Sequence, residues 1–246
     1  MTSQEFSELT AKADAGALQS LYKLGACYDQ GDGVPQDYST AARYFGAAAE
    51  KGFAQAQCTL GLYYTKGEGV PRDFVAAGRW FRAAAVQGEP RSAFNLALLL
   101  QSNLVPEQEP GEAAAWLKHA AVAGIPEAQL NFGIDLLVTA KEPADKDLAA
   151  EWIYTAAKAG LAEAQYQLAL MFDTGEGVVR DQMLAVEWYG LAAAQGHVSA
   201  QYNLGLHYEL GHEGLERDLT RACELYRAAA SAGHEKAIDS LIALQS

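Results

Sequence analysis

Apolar and polar positions along the chain follow a helical rhythm that repeats on a longer period. Gly16, Gly52, Gly88, Gly124, Gly160 and Gly196 fall 36 residues apart, and Gly233 follows after 37 because one residue is inserted near His212. A fixed period of this size marks a repeat architecture and is read before any single helix. With each marker glycine counted as zero, offset 8 is Leu24, Leu60, Leu96, Phe132, Leu168 and Leu204. Offset 4 is always Ser or Ala, from Ser20 to Ala200, and offset 12 is large and apolar, from Tyr28 to Tyr208. Offsets 4, 8 and 12 form one stripe of a helix. Beside it, offset 9 is only Gly or Ala (Gly25, Gly61, Ala97, Gly133, Ala169, Gly205), which lets two helix backbones approach closely.

A second helix in each unit begins near Ala41, Ala77, Ala113, Ala149 and Ala185. Three residues later come Tyr44, Trp80, Trp116, Trp152 and Trp188, then an Ala pair such as Ala48-Ala49. The strict position of these aromatics predicts core packing rather than a sugar-stacking row. The next marker glycine supplies a left-handed helix stop. Between the helices lie Gly31-Asp32-Gly33-Val34, Gly67-Glu68-Gly69-Val70 and Gly175-Glu176-Gly177-Val178. Asp37, Asp73 and Asp181 follow them, placed to favour the dipole of the second helix.

A unit of this kind cannot bury its apolar face alone, so neighbours must stack into one core. The pattern predicts an all-α solenoid of helix-turn-helix repeats, a single domain over 1–246. Its repeats are 16–51, 52–87, 88–123, 124–159, 160–195 and 196–232. Residues 1–15 form an N-terminal half-repeat, with Thr2 and Glu5 as a capping box. Residues 233–246 form a capping helix whose Ile238, Leu241 and Ile242 are expected to cover the last repeat.

Charge narrows the partners. The 18 Lys and Arg against 31 Asp and Glu give −13, which repels nucleic acid and anionic lipid and draws in basic segments of other proteins. Apolar runs such as Leu96 to Leu100 are too short to span a bilayer, and no secretory start is visible, so a cytoplasmic protein is expected. Cys27, Cys58 and Cys223 sit at unrelated repeat positions and do not read as a disulfide framework.

The small residue at offset 4, the Leu-Gly pair at 8 and 9, the Tyr at 12, the Gly-x-Gly-Val turn, the later Asp, the Ala-x-x-Trp and the Ala pair together resemble the Sel-one-like repeat family, relatives of the tetratricopeptide repeats. The resemblance covers nearly the whole chain. It implies a right-handed α/α superhelix with first helices lining the inner surface, and in most members an adaptor role without catalysis. Repeats three and four depart from it. They lack the glycine turn and read Ser102-Asn103-Leu104-Val105-Pro106-Glu107-Gln108-Glu109-Pro110 and Thr139-Ala140-Lys141-Glu142-Pro143-Ala144-Asp145. They are read as drift at a solvent-exposed turn, or else as a second contact site. The disulfides of the family's cysteine-rich branch have no counterpart here.

With offsets 4, 8 and 12 turned inward, offsets 3, 7, 11 and 14 are expected to pave a concave groove. Offset 7 offers a file of side-chain amides, Asn95, Asn131, Gln167 and Asn203, able to pair with the backbone of an extended peptide. Offset 11 adds Tyr63, Leu99, Asp135, Met171 and His207, with Leu99 and Met171 as apolar anchors. The plainer reading makes offset 7 a solvated surface and offset 11 a seam between repeats. Offset 10, apolar throughout from Ala26 to Leu206, is assigned to packing between repeats.

No catalytic residue, cofactor or metal site is expected. His207, Glu209, His212 and Glu213 lack metalloprotease spacing, and the Gly-x-Gly turns lack the Lys-Ser or Lys-Thr of a phosphate loop. The leading expectation is a scaffold that holds an unknown protein or peptide of basic character. Two alternatives stand beside it: a β-lactam-binding or hydrolytic protein, implied by some cysteine-rich relatives, and a self-assembling structural protein. The sequence leaves the oligomeric state open.

Overall fold

The computed structural model of the chain describes residues 1–106, 109–212 and 214–245. Among them are fourteen α-helices and no extended strand. The chain divides into two compact units, one ending at Ile125 and the other opening at Pro126. In the first, α1 (Ser3–Asp14) precedes three pairs: α2 (Leu18–Gln30) with α3 (Tyr38–Glu50), α4 (Ala54–Lys66) with α5 (Phe74–Ala85), and α6 (Pro90–Gln101) with α7 (Glu112–Val122). The second holds α8 (Pro126–Thr139) with α9 (Pro143–Lys158), α10 (Ala162–Thr174) with α11 (Gln182–Ala194), α12 (Val198–Leu210) with α13 (Leu219–Ser231), and a final α14 (Glu235–Gln245). Within each unit every helix packs on the next in sequence, most extensively inside a pair. This is the helix-turn-helix repeat architecture that the period predicts.

Local chemistry sets the boundaries. Thr2 and Glu5 form the expected capping box: the Thr2 hydroxyl accepts from the Glu5 amide at 3.2 Å, and the Thr2 amide donates to the Glu5 carboxylate at 2.7 Å. Asp37, Asp73 and Asp181 are the N-caps of α3, α5 and α11, and Asp218 does the same for α13. The seven marker glycines have φ between 84° and 93°, the left-handed stop that ends a helix or its last turn.

The small residue at offset 9 has a definite neighbour. A Cβ on Gly61 would lie 2.5 Å from the Phe81 ring, and one on Gly25 2.7 Å from Phe45. Gly133 and Gly205 meet Ile153 and Tyr226 in the same way. These partners sit one residue after the Tyr/Trp position and, with Leu117 and Tyr189, are almost fully buried. They are the core anchors of the second helices. Tyr44 and the four tryptophans are only half-buried: Tyr44, Trp80, Trp116 and Trp188 pack against the edges of the core clusters, and Trp152 meets the Phe132 ring edge-on at 5.5 Å.

The Gly-x-Gly turns join neighbouring repeats. A Cβ on Gly69 would lie 2.1 Å from the Tyr38 carbonyl oxygen, and one on Gly177 2.6 Å from that of Lys146, so the second glycine admits the backbone of the preceding second helix. Repeat three keeps the contact by other means. Its Val105 is buried, and the missing bulk is on the facing helix: a Cβ on Gly78 would lie 2.8 Å from a Val105 methyl. Asn103 supplies the left-handed residue at φ 54°. Glu107 and Gln108 of this turn lie outside the described residues. In repeat four, Pro143 to Asp145 belong to α9, which starts early, with the Asp145 carboxylate accepting from the Lys141 and Glu142 amides at 3.0 and 3.1 Å.

At the C-terminal end, Ala237 and Leu241 pack on the last pair, but Ile238 and Ile242 are 43% and 63% exposed. The cap therefore uses one side of α14, and the two isoleucines expected to cover the last repeat lie on the other.

Candidate functional site

Helix geometry separates the expected groove residues into two groups. Seven residues make nearly two full turns, so offset 11 returns to within about 20° of offset 4 and shares the buried stripe. Tyr63, Leu99, Met171 and His207 are accordingly 4, 7, 4 and 8% exposed. They do not pave an open surface, which corrects their expected placement; Asp135 alone of the five is half-exposed. The outward row is instead offsets 3, 7, 10 and 14. Asn95, Asn131, Gln167 and Asn203 all lie on it, half-exposed. Offset 10 lies beside them and is only partly taken up by packing, with Leu62 37% exposed.

Clefts open on this row in both units. In the first, α1 and α2 border a cleft of about 570 Å³ where Gln19, Lys23, Ala26 and Gln30 face Glu8 and Lys12. In the second, Asn203 stands between two clefts. One of about 230 Å³ runs along Leu206 and Leu210 to Asp173, and one of about 410 Å³ reaches Tyr166, Tyr202 and His234. The amides differ in their present engagements. Asn203 donates to the Tyr189 hydroxyl at 3.2 Å and Gln167 to the Glu163 carboxylate at 3.0 Å. Asn95 and Asn131 make no side-chain hydrogen bond among the described residues.

The seam position at offset 11 has its own chemistry. The Tyr63 hydroxyl donates to the Asp29 carboxylate of the preceding repeat. His207 Nε2 stands 3.4 Å from Asp173, again one repeat back. Burial lowers the His207 pKa from its ordinary value, more than the neighbouring Asp173 carboxylate raises it. The rings of His207 and His212 are 5.3 Å apart, while Glu209 accepts from the Tyr226 hydroxyl at 2.5 Å and Glu213 lies outside the described residues. Among the described residues no three His, Cys, Asp or Glu side chains gather to hold a metal.

Sequence reasoning missed a second file of amides at offset 5. Gln57, Gln165 and Gln201 donate to the carbonyls of Ala49, Ala157 and Ala193 at 3.1, 3.3 and 3.4 Å. Gln87 and Gln195, just before marker glycines, donate in turn to Gln57 and Gln165 at 2.7 and 2.8 Å. The recurrence of Gln57, Gln129, Gln165 and Gln201 at one offset was the available signal. It missed a row of stacked aromatics as well: Tyr166 lies on His197 and Tyr202 on His234, with centroids 4.4 and 4.5 Å apart.

The three cysteines are free thiols. Burial pushes the Cys58 thiol up to about 11, which keeps it protonated and unreactive at neutral pH. No helix is long and apolar enough to cross a membrane, among the described residues.

The Sel1 repeat family profile matches residues 18–53, 54–89, 126–161, 162–197 and 198–234. The chain is similar to a Sel1 repeat protein from Oxalobacter formigenes, with 29% identity, TM-score 0.75 and coverage of 86% of this chain and 84% of that one. It is also similar to a protective antigen with the same repeat fold from uropathogenic Escherichia coli: 24% identity, TM-score 0.52, coverage 97% and 67%. An immunity protein from Pseudomonas aeruginosa matches at 19% identity, TM-score 0.55, coverage 87% and 80%. No curated protein matches the sequence.

Proposed function

Because this chain belongs to the Sel1 repeat family, whose repeats generally scaffold contacts between proteins, we propose that it is a non-catalytic scaffold that holds an extended segment of a partner protein. The observation that carries this reading is the coincidence of open clefts with the outward row of the first helices, in both units, centred in the second on Asn203. Side-chain amides both donate and accept, so they pair with a peptide backbone irrespective of its sequence. The half-exposed apolar residues at offset 10 add contact area beside them. A net charge of −13 favours basic segments and speeds their encounter.

The lowered acidity of the Cys58 thiol and the structural engagement of Tyr63 and Tyr226 with carboxylates support a binding role over a hydrolytic one. Selection of a random twelve-residue peptide library on the intact chain tests the proposal. Enriched peptides rich in Lys and Arg are expected, and for those that shift the Asn203 side-chain amide signal the pair Asn131→Arg and Asn203→Arg should abolish binding while the far-ultraviolet circular dichroism stays unchanged. A selection that yields no peptide shifting that signal, or such peptides binding the variant as tightly as the parent, would refute the assigned face.

A further inference from the structure

On the second-helix side of the second unit, Ala150, Tyr154, Leu168, Phe172 and Val178 line an open, almost wholly apolar cleft of about 310 Å³, with Asp147 and Glu151 on its lip. Its wall is fixed, because Gly177 brings the turn after α10 against the Lys146 carbonyl. Tyr154 is 45% exposed although its ring meets the edge of Trp188 at 6.0 Å. That ring already receives a cation, the Lys158 ammonium 5.7 Å from its centroid. The nearby Lys146 is paired with Glu176 at 2.9 Å, which leaves the lip its acidic character.

The corresponding edges of the other repeats are built differently. Where repeat four has Asp147, Glu151 and Tyr154, repeat one has Ser39, Arg43 and Gly46, and repeat two has Val75, Arg79 and Arg82. Arg82 shows what such an edge accepts, pairing through two nitrogens with Glu112 of the next repeat at 2.7 and 3.0 Å. Repeats five and six keep one acid each, Glu187 and Glu224, with Gly190 and Arg227 in place of Tyr154, so two acids beside an aromatic occur at the repeat-four edge alone.

We infer that this cleft is a second docking surface, for a partner segment that seats an aliphatic or aromatic side chain in the pocket and a Lys or Arg beside it on the Asp147–Glu151 lip. It is separate from the first-helix face, so the chain engages two segments at once. The pocket supplies the apolar contact, and the lip sets the choice of neighbour by charge.

The test is a nitrogen-15 NMR titration of the whole chain with acetyl-Leu-Arg-Leu-Arg-amide and with its acidic counterpart acetyl-Leu-Glu-Leu-Glu-amide. The basic peptide is expected to give saturable shifts centred on the Gly177 and Ala150 amides, with the acidic one about tenfold weaker or more. Transplanting the repeat-one edge with Asp147→Ser and Glu151→Arg should weaken the basic peptide by at least about tenfold, and Tyr154→Ala should do the same. Asn203→Arg should leave this site unaffected, which separates it from the proposed first-helix face. The inference is overturned by absent shifts at Gly177, by equal binding of the acidic peptide, or by undiminished binding in the two edge variants.

Discussion

The turns of repeats two and three solve one packing problem in opposite ways. In repeat two the loop gives way: Gly69, at φ 66°, lets the Tyr38 carbonyl in. In repeat three the helix gives way, with Gly78 of α5 admitting a Val105 that the loop has gained. What persists from repeat to repeat is the closeness of a turn to the preceding second helix, and the residue that lacks a side chain can stand on either side of the contact.

Gly69→Ala breaks this comparison most severely. The new Cβ would meet backbone that cannot move aside and would also force a left-handed conformation, so a loss of about 2–4 kcal/mol is expected in urea unfolding. Gly78→Ala meets only a side chain, and it gains about 1 kcal/mol of helix propensity. Its net cost should be small and coupled to Val105: a double-mutant cycle with Val105→Ala is expected to show an interaction of about 1–2 kcal/mol, and additive effects would break the pairing.

The seam residues sharpen the same contrast. Tyr63→Phe removes the bond to Asp29 and should cost about 1 kcal/mol. In the second unit the equivalent seam residue, His207, titrates. Its folded pKa lies below the ordinary histidine value, so as pH falls below about 6.5 the unfolded chain takes up the proton first. Stability is whole above that pH and declines until the folded ring also protonates. His207→Gln should lessen the difference between urea midpoints at pH 7.5 and 5.5, and an unchanged difference would remove His207 from the account.

The period, the helix pairs, the stops and the caps were legible in the sequence because each rests on local chemistry at a fixed spacing. Offset 11 was misplaced because the row 3, 7, 11, 14 mixes two faces: seven residues bring offset 11 back over offset 4, whereas offset 10 returns over offset 3. The buried anchors Phe45, Phe81 and Tyr189 were overshadowed by the more conspicuous Tyr and Trp one position earlier. The exchange between Gly78 and Val105 could not be read at all, since nothing in the sequence links the two until the helices are packed. The amide row was legible as a pattern, and its half-exposure and clefts came only with the fold.

The proposed scaffold role requires that the first-helix face be the one that meets a partner. Its most direct measurement follows the side-chain amide NMR signals of Asn131, Gln167 and Asn203 while a selected basic peptide is added. They are predicted to shift and saturate together, with the buried amides of Gln57 and Gln165 unmoved. Shifts confined to the second helices α9 and α11, with the three row amides silent at saturation, would contradict it.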